Sequence, residues 1–149
     1  MNIPVPIPKA QYRPKSAQGE RKTIYSTVLA QSMGKKIIQQ DLVYKLLKQV
    51  PNGRITTYKA LARAAGCSYA ARAVGGMMRR NPYAPIVPCH RVVYSDGRLG
   101  GFGGSKGVKA KAKILEKEGV KVKEGRIIEF DTLFFDTFST KLAEKDSLP

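Results

Sequence analysis

The stretch "PIVPCHRVV", residues 85–93, sets the single histidine of the chain directly after one of its two cysteines. A thiol of ordinary pKa is mostly protonated at neutral pH, so a cysteine that does chemistry needs a base or a positive charge close by. His90 and Arg91 supply both beside Cys89. On an extended strand neighbouring side chains point to opposite faces, which would part the thiol from the imidazole. A bend or a bridging water is therefore needed, and Pro88 restricts the backbone in a way that favours a bend. The bland alternative is a small buried thiol next to a structural histidine. Two cysteines and one histidine cannot complete the usual four-ligand zinc set, and Cys67 and Cys89 would bridge only in an oxidising compartment. A reduced thiol, no metal and no cofactor are expected.

Periodicity gives the elements that must carry this turn. "DLVYKLLKQV" from Asp41 places Leu42, Val43, Leu46, Leu47 and Val50 on one helical face, and Pro51 to Gly53 ends it. "RITTY" is a short connection in which Thr56 or Thr57 can cap "YKALARAAG", stopped at Gly66. Ser68 is expected to cap "YAARAVGGMMRR", with Ala70, Ala73, Val74, Met77 and Met78 on its apolar face and Asn81-Pro82 closing it. Two short helices around a glycine turn predict a helix-turn-helix. Residues 83–93 read as a buried apolar segment, followed by a turn at Ser95 to Gly97 and a glycine-rich loop from Gly100 to Gly107. That loop has neither the Walker spacing nor the dinucleotide context. "VKAKAKILEKEG" is a basic helix stopped at Gly119. The final segment holds Ile127, Ile128, Phe130, Leu133, Phe134, Phe135 and Phe138, too apolar to stay free, and is expected to pack back as a hairpin or a short helix.

The expected domains are a basic, proline-rich arm over 1–22, a central domain over 23–125, catalytic and DNA-binding by the family resemblance given below, and an apolar C-terminal extension over 126–149. The fold class is mainly α with small β elements, winged-helix-like. Lys and Arg number 27 against 11 Asp and Glu, a formal charge of +16, with a pI near 10.1. Such a surplus attracts polyanions, nucleic acid first. No apolar run approaches the ~20 residues of a spanning helix, and no signal peptide opens the chain. A monomer in the cytoplasm or on the nucleoid, away from membranes, is expected. Gly75 and Gly76 interrupt a helix interior, where each costs roughly 1 kcal/mol relative to alanine. Arg72, Gly76 and Arg79 share a face, so the glycines permit either close helix packing or close approach to a phosphate chain, and the charge favours DNA.

"VPNGRITTYKALA", "AARAVGGMMRRNP" and "PCHRVV", followed by the glycine loop and "LEKEG", resemble the O6-alkylguanine-DNA alkyltransferases in order and spacing over roughly residues 41–120. The resemblance implies repair of double-stranded DNA containing O6-alkylguanine by stoichiometric transfer of the alkyl group to Cys89. It makes His90 the water-mediated base and Glu118 the group that holds its imidazole. Tyr58 matches the tyrosine that donates to the flipped base, and Asn81 the asparagine that fixes the turn before the active-site segment. Arg72 matches the arginine that fills the vacated space in the duplex, with Ala73, Gly75, Gly76, Arg79 and Arg80 on the same DNA-facing helix. The carbonyls of Cys89 and Val92 would take the guanine amino group, Phe102 would line the alkyl pocket, and Gly104 or Ser105 would donate an amide to the guanine oxygen. An N-terminal domain resembling ribonuclease H, usual in the family, is expected to be missing. The competing readings are a lesion-binding relative that flips damaged guanine without transferring the alkyl group, and a winged-helix DNA-binding protein with a structural cysteine.

Overall fold

The computed structural model describes residues 37–100 and 107–149. Helix α1 (Gln40–Leu47) buries Val43, Leu46 and Leu47 of the predicted face, leaves Leu42 half-buried against the core and adds Tyr44, which was not expected there. Its chain leaves through Val50 and the Pro51–Gly53 turn into β1 (Thr56–Thr57). The Thr57 hydroxyl accepts from the amide of Ala60 at 3.0 Å and so caps α2 (Tyr58–Ala64). After the turn through Gly66, α3 spans Ala71–Arg79. The packed pair α2–α3 is the predicted helix-turn-helix. Its second helix begins later than expected: Ala70 occupies the N-cap and no side chain caps it, so Ser68 belongs to the preceding turn. Ala73 also departs from its expected face, lying exposed while Val74, Met77 and Met78 are buried.

Beyond α3 the chain stays at the surface through Pro82 and Ala84 to Ile86, with Ile86 59% exposed, and turns inward only at Val87. The buried apolar segment is therefore four residues shorter at its start, at 87–93, because Asn81 and the prolines hold a turn there. Cys89–Arg91 forms one turn of 3₁₀ helix rather than a strand, leading into β2 (Val92–Val93). β2 pairs in parallel with β1, Thr56 beside Val92 and Thr57 beside Val93. Helix α4 (Gly107–Lys117) follows, and then an antiparallel hairpin of β3 (Val122–Lys123) and β4 (Arg126–Ile127).

The C-terminal segment contains both of the forms its sequence left open. After the hairpin come the short helices α5 (Phe130–Leu133) and α6 (Thr140–Lys145). The strap between them runs beside β1: the Ile55 amide donates to Leu133 O at 3.0 Å and the Phe135 amide to Ile55 O at 2.7 Å. Arg54 adds bonds from Nε and Nη2 to the carbonyls of Leu133 and Phe134, each 2.9 Å. Gln49 and Ser139 bond reciprocally, and Lys48 pairs with Asp146 at 2.8 Å. Two apolar clusters result. The larger joins α1, α2, α3, Cys89 and Ala143 of α6, and the smaller joins Ile55, Val93, Leu99, Leu115, Val120 and Ile127. The Cys89–Arg91 turn lies between them, since Cys89 and Val92 belong to the first and Val93 to the second.

Candidate active site

Proline chemistry sets the local bend. Pro88 sits at φ −84°, ψ 71°, close to an inverse γ-turn, with the Cys89 amide donating to Val87 O at 2.9 Å. The Arg91 amide then reaches Pro88 O at 3.0 Å and closes the 3₁₀ turn. On that turn both Cys89, 5% exposed, and His90, 4% exposed, face inward, which an extended strand would forbid. Asn81 steadies the approach to the bend. Its Nδ2 donates to Val87 O at 2.8 Å, and its Oδ1 accepts from the Tyr83 amide at 2.9 Å.

Glu118 arrives from the other side. It is the C-cap of α4, whose end is a Schellman motif: the Val120 amide bonds Leu115 O and the Gly119 amide bonds Glu116 O, both at 3.0 Å, with Gly119 at φ +87°. Gly53 lets the turn after α1 lie against this end, since a Cβ there would sit 3.3 Å from the Glu118 carbonyl oxygen. The Glu118 carboxylate bonds His90 Nε2 at 2.7 Å through Oε1. Arg91 grips the same carboxylate as a fork, Nη2 to Oε1 at 2.7 Å and Nε to Oε2 at 2.9 Å, and sends Nη1 to Val50 O at 2.8 Å. Sequence reasoning saw Arg91 only as charge near the thiol. Its structural place is as the tie between the chain leaving α1 at Val50, the Cys89–Arg91 turn and Glu118.

The electrostatics follow from this arrangement. Burial pushes the Glu118 carboxyl up, but the hydrogen bonds from Arg91 and His90 outweigh it and hold the group below its ordinary value. Burial is the largest influence on His90 and lowers it below 6.5, against an opposing pull from Glu118. Because Arg91 already balances the carboxylate, Glu118 does not force the imidazole into its charged form. His90 is thus neutral at pH 7, with Nε2 committed to Glu118 and Nδ1 left as the proton-accepting nitrogen.

Tyr58 opens α2 directly after the capping threonine. Burial pushes its phenol up to about 12, with Tyr94 and Cys89 adding to the rise, so the hydroxyl is a proton donor at neutral pH. Lys111 of α4 is 1% exposed. Its ammonium bonds the carbonyls of Val92 and Leu99 and lies 5.8 Å from the Tyr58 ring centroid. Burial lowers it to about 8, and Cys89 draws it back up. Lys111 was missed in the sequence because it is one of four lysines in "VKAKAK" and the segment after it. Helical periodicity separates it, since 111 and 115 fall on the buried face with Leu115.

Cys89, His90, Glu118, Tyr58 and Asn81 thus stand in one neighbourhood. Arg72, Ala73, Arg79 and Arg80 form the exposed face of α3, and Gly75 and Gly76 lie along it. Neither glycine is needed for close packing: a Cβ at Gly75 would make an ordinary 4.0 Å contact with Tyr58 Cδ1 of α2, and one at Gly76 would stand 3.1 Å from the Arg80 guanidinium tip. Phe102, Gly104 and Ser105, like the arm over 1–22, lie outside the described residues. Among the described residues no cluster of three or more His, Cys, Asp or Glu could hold a metal ion. No helix among them is long and apolar enough to cross a membrane.

The family model for the DNA-binding domain of 6-O-methylguanine DNA methyltransferase matches residues 39–120. The chain belongs to that family. Methylated-DNA--protein-cysteine methyltransferase of Rattus norvegicus is 45% identical over 89 residues, 56% of this chain and 42% of the relative. The Homo sapiens protein of that name is 46% identical over 80 residues, 54% of this chain and 38% of the relative. The chain spans less than half the length of these two methyltransferases. Among solved structures, Mycobacterium tuberculosis OGT in complex with DNA is 42% identical with a TM-score of 0.51, covering 56% of this chain and 51% of that one. S. pombe Atl1 in complex with damaged DNA containing O6-carboxymethylguanine is 29% identical with a TM-score of 0.59, covering 64% of this chain and 93% of that one.

Proposed function

We propose that this protein removes an alkyl group from O6 of guanine in double-stranded DNA by transferring it once, irreversibly, to Cys89. The observation that carries the reading is the Glu118 fork, which holds a neutral His90 on the same tight turn as an inward-facing cysteine. Both relatives that bear the methyltransferase name and the neighbours crystallised with DNA support it.

In this mechanism α3 lies against the duplex and the damaged nucleotide is extruded, with Arg72 occupying the vacated space and Arg79 and Arg80 on phosphates. The thiol proton passes through an intervening water to His90 Nδ1. Sulfur then forms a bond to the alkyl carbon as the carbon–O6 bond breaks, and the electron pair stays on guanine. Tyr58 donates its proton toward a ring nitrogen of the base, so guanine leaves without a full negative charge. The thioether has no leaving group that water or the site could expel, so each molecule acts once. Metal and diffusible cofactor have no part in the balance. The carbonyls of Cys89 and Val92 each already accept one hydrogen bond, from the Val92 amide and from Lys111, and each keeps a second lone pair for the guanine amino group.

The test is incubation of the protein with duplex DNA containing one O6-methylguanine, followed by mass analysis of the Cys89 peptide. The expected result is one added methyl group per protein molecule, absent in Cys89→Ser. Tight, lesion-selective binding with an unchanged peptide mass would establish a lesion-binding protein instead.

A further inference from the structure

We propose, resting on the alkyl-transfer reading above, that Tyr94 is a positioning residue that fixes the Tyr58 hydroxyl for the entering base. Tyr94 directly follows β2 and is 45% exposed, a large aromatic kept at the surface beside the reaction turn. Its ring centroid lies 5.2 Å from that of Tyr58 at an interplanar angle of 52°, within the range where aromatic pairs attract beyond simple burial.

Both rings meet at Gly100. With φ at +74°, a Cβ there would stand 3.0 Å from Tyr94 Cε2 and 3.1 Å from Tyr58 Oη. The backbone at 100 therefore closes on the edge of the Tyr94 ring and on the Tyr58 hydroxyl, and any side chain would push that hydroxyl away. Arg98 holds Tyr94 from elsewhere on its ring, with the guanidinium carbon 5.0 Å from the centroid. Arg98 is itself fixed by Asp96, which accepts from its Nε at 2.7 Å and from its amide at 3.1 Å. The turn that carries these residues is closed by the Tyr94 amide to Arg98 O and the Gly97 amide to Tyr94 O, each 2.9 Å. A chain of contacts thus runs from Asp96 through Arg98 and Tyr94 to Tyr58. Lys111 and the open side of Gly75 border the Tyr58 ring elsewhere, so Tyr94 supplies the aromatic wall that limits how the ring can swing.

The experiment is a double-mutant cycle on the single-turnover transfer rate, using Tyr58→Phe and Tyr94→Leu with methylated duplex as substrate. Tyr94→Leu should slow transfer by about three- to tenfold in the wild-type background. In the Tyr58→Phe background it should slow transfer no further, because there is no hydroxyl left to position. Tyr94→Phe, which keeps the ring, should restore the rate that leucine loses. Arg98→Leu, a change at a well-exposed side chain, should show the same dependence on the Tyr58 hydroxyl at smaller size, which covers the case that Tyr94→Leu folds poorly. Equal slowing in both backgrounds, for both variants, would overturn the role of Tyr94 while leaving transfer to Cys89 intact. Absence of methyl on Cys89 in the wild type would instead overturn the transfer reading itself, and the role of Tyr94 with it.

Discussion

The Cys89–Arg91 turn and the exposed face of α3 both concentrate charge, but they differ in where that charge is answered. Around Glu118, two cationic or proton-bearing side chains converge on one carboxylate with distances of 2.7–2.9 Å, and the remaining Arg91 donor ends on Val50 O. Along α3, the guanidinium groups of Arg72, Arg79 and Arg80 make no hydrogen bond or ion pair among the described residues. The first region is complete within the protein, so its geometry survives without a ligand and can be ready before DNA arrives. The second is incomplete by itself and fits a surface whose charges are answered by phosphates. Substitutions should separate the two: changes at the turn should alter chemistry and stability, while changes on α3 should alter DNA engagement alone.

The largest separation is expected from Cys89→Ser. An alcohol is a far weaker nucleophile at neutral pH, so transfer should fall at least about a thousandfold while duplex affinity stays within a few-fold. Cys67, buried in the turn between α2 and α3, should tolerate alanine with transfer nearly intact. Transfer lost in Cys67→Ala and retained in Cys89→Ser, read as methyl on intact protein, would invert the assignment.

Glu118→Gln comes next, and it should affect both stability and rate because it strands the Arg91 cation and frees the imidazole. With the carboxylate 11% exposed, the loss in urea unfolding should be about 1–3 kcal/mol, and transfer should slow by an order of magnitude or more. Two acid phases are expected in the wild type. His90 is held below 6.5, so between 6.5 and its lowered folded value the unfolded chain takes the proton first and stability falls with pH. Glu118 is held below 4.5, so its contribution is whole above 4.5 and is lost as pH drops through its folded value. Only the second phase should vanish in Glu118→Gln. Transfer should fade with the first, as the base becomes protonated.

Arg72→Ala should act on the other region. Repair of duplex DNA should slow by about tenfold or more, whereas reaction with free O6-benzylguanine, which needs no extrusion, should hold its rate. Equal slowing on both substrates would mean that Arg72 shapes the reaction turn, and the division between the regions would fail.

The legibility of the two regions in the sequence was unequal for physical reasons. Helices with a buried stripe, such as α1 and α4, follow from periodicity, and the Thr57 cap and the stop at Gly119 follow from local chemistry. Cys89 and His90 were legible from their adjacency and Glu118 only through the family resemblance, yet the bond between His90 and Glu118 spans 28 residues of sequence, and only tertiary packing of α4 against the 3₁₀ turn creates it. Lys111, and the fork that Arg91 makes to Glu118, escaped notice because charged side chains read as solvated until burial is known. The start of α3 was placed too early at Ser68, since a good capping residue does not cap when the chain is already committed to the tight turn after α2. The C-terminal strap could not be decided between hairpin and helix because its apolar residues are spaced to meet Ile55 and α1, partners far away in sequence, and not to line one face of a single element.

The smallest expected effect is the sharpest on the glycine pair. If Gly75 and Gly76 were there for helix packing, alanine would clash and destabilise the fold. The structure gives the opposite expectation: a Cβ at Gly75 makes an ordinary 4.0 Å contact, and one at Gly76 meets only the movable tip of Arg80 at 3.1 Å. Alanine in a helix interior is favoured over glycine by roughly 0.8–1 kcal/mol, so Gly76→Ala should raise the unfolding free energy by up to about that amount. The added methyl stands on the same face as Arg72 and Arg79, where it would hold the backbone away from a phosphate chain. Duplex affinity should therefore fall a few-fold even as stability rises, with reaction toward free O6-benzylguanine unchanged. Gly75→Ala should be closer to neutral for binding if its open side faces Tyr58 and not the duplex. Calorimetric unfolding alongside salt-dependent DNA titration reads both quantities, and a less stable Gly76→Ala with unaltered affinity would return the glycine to a packing role.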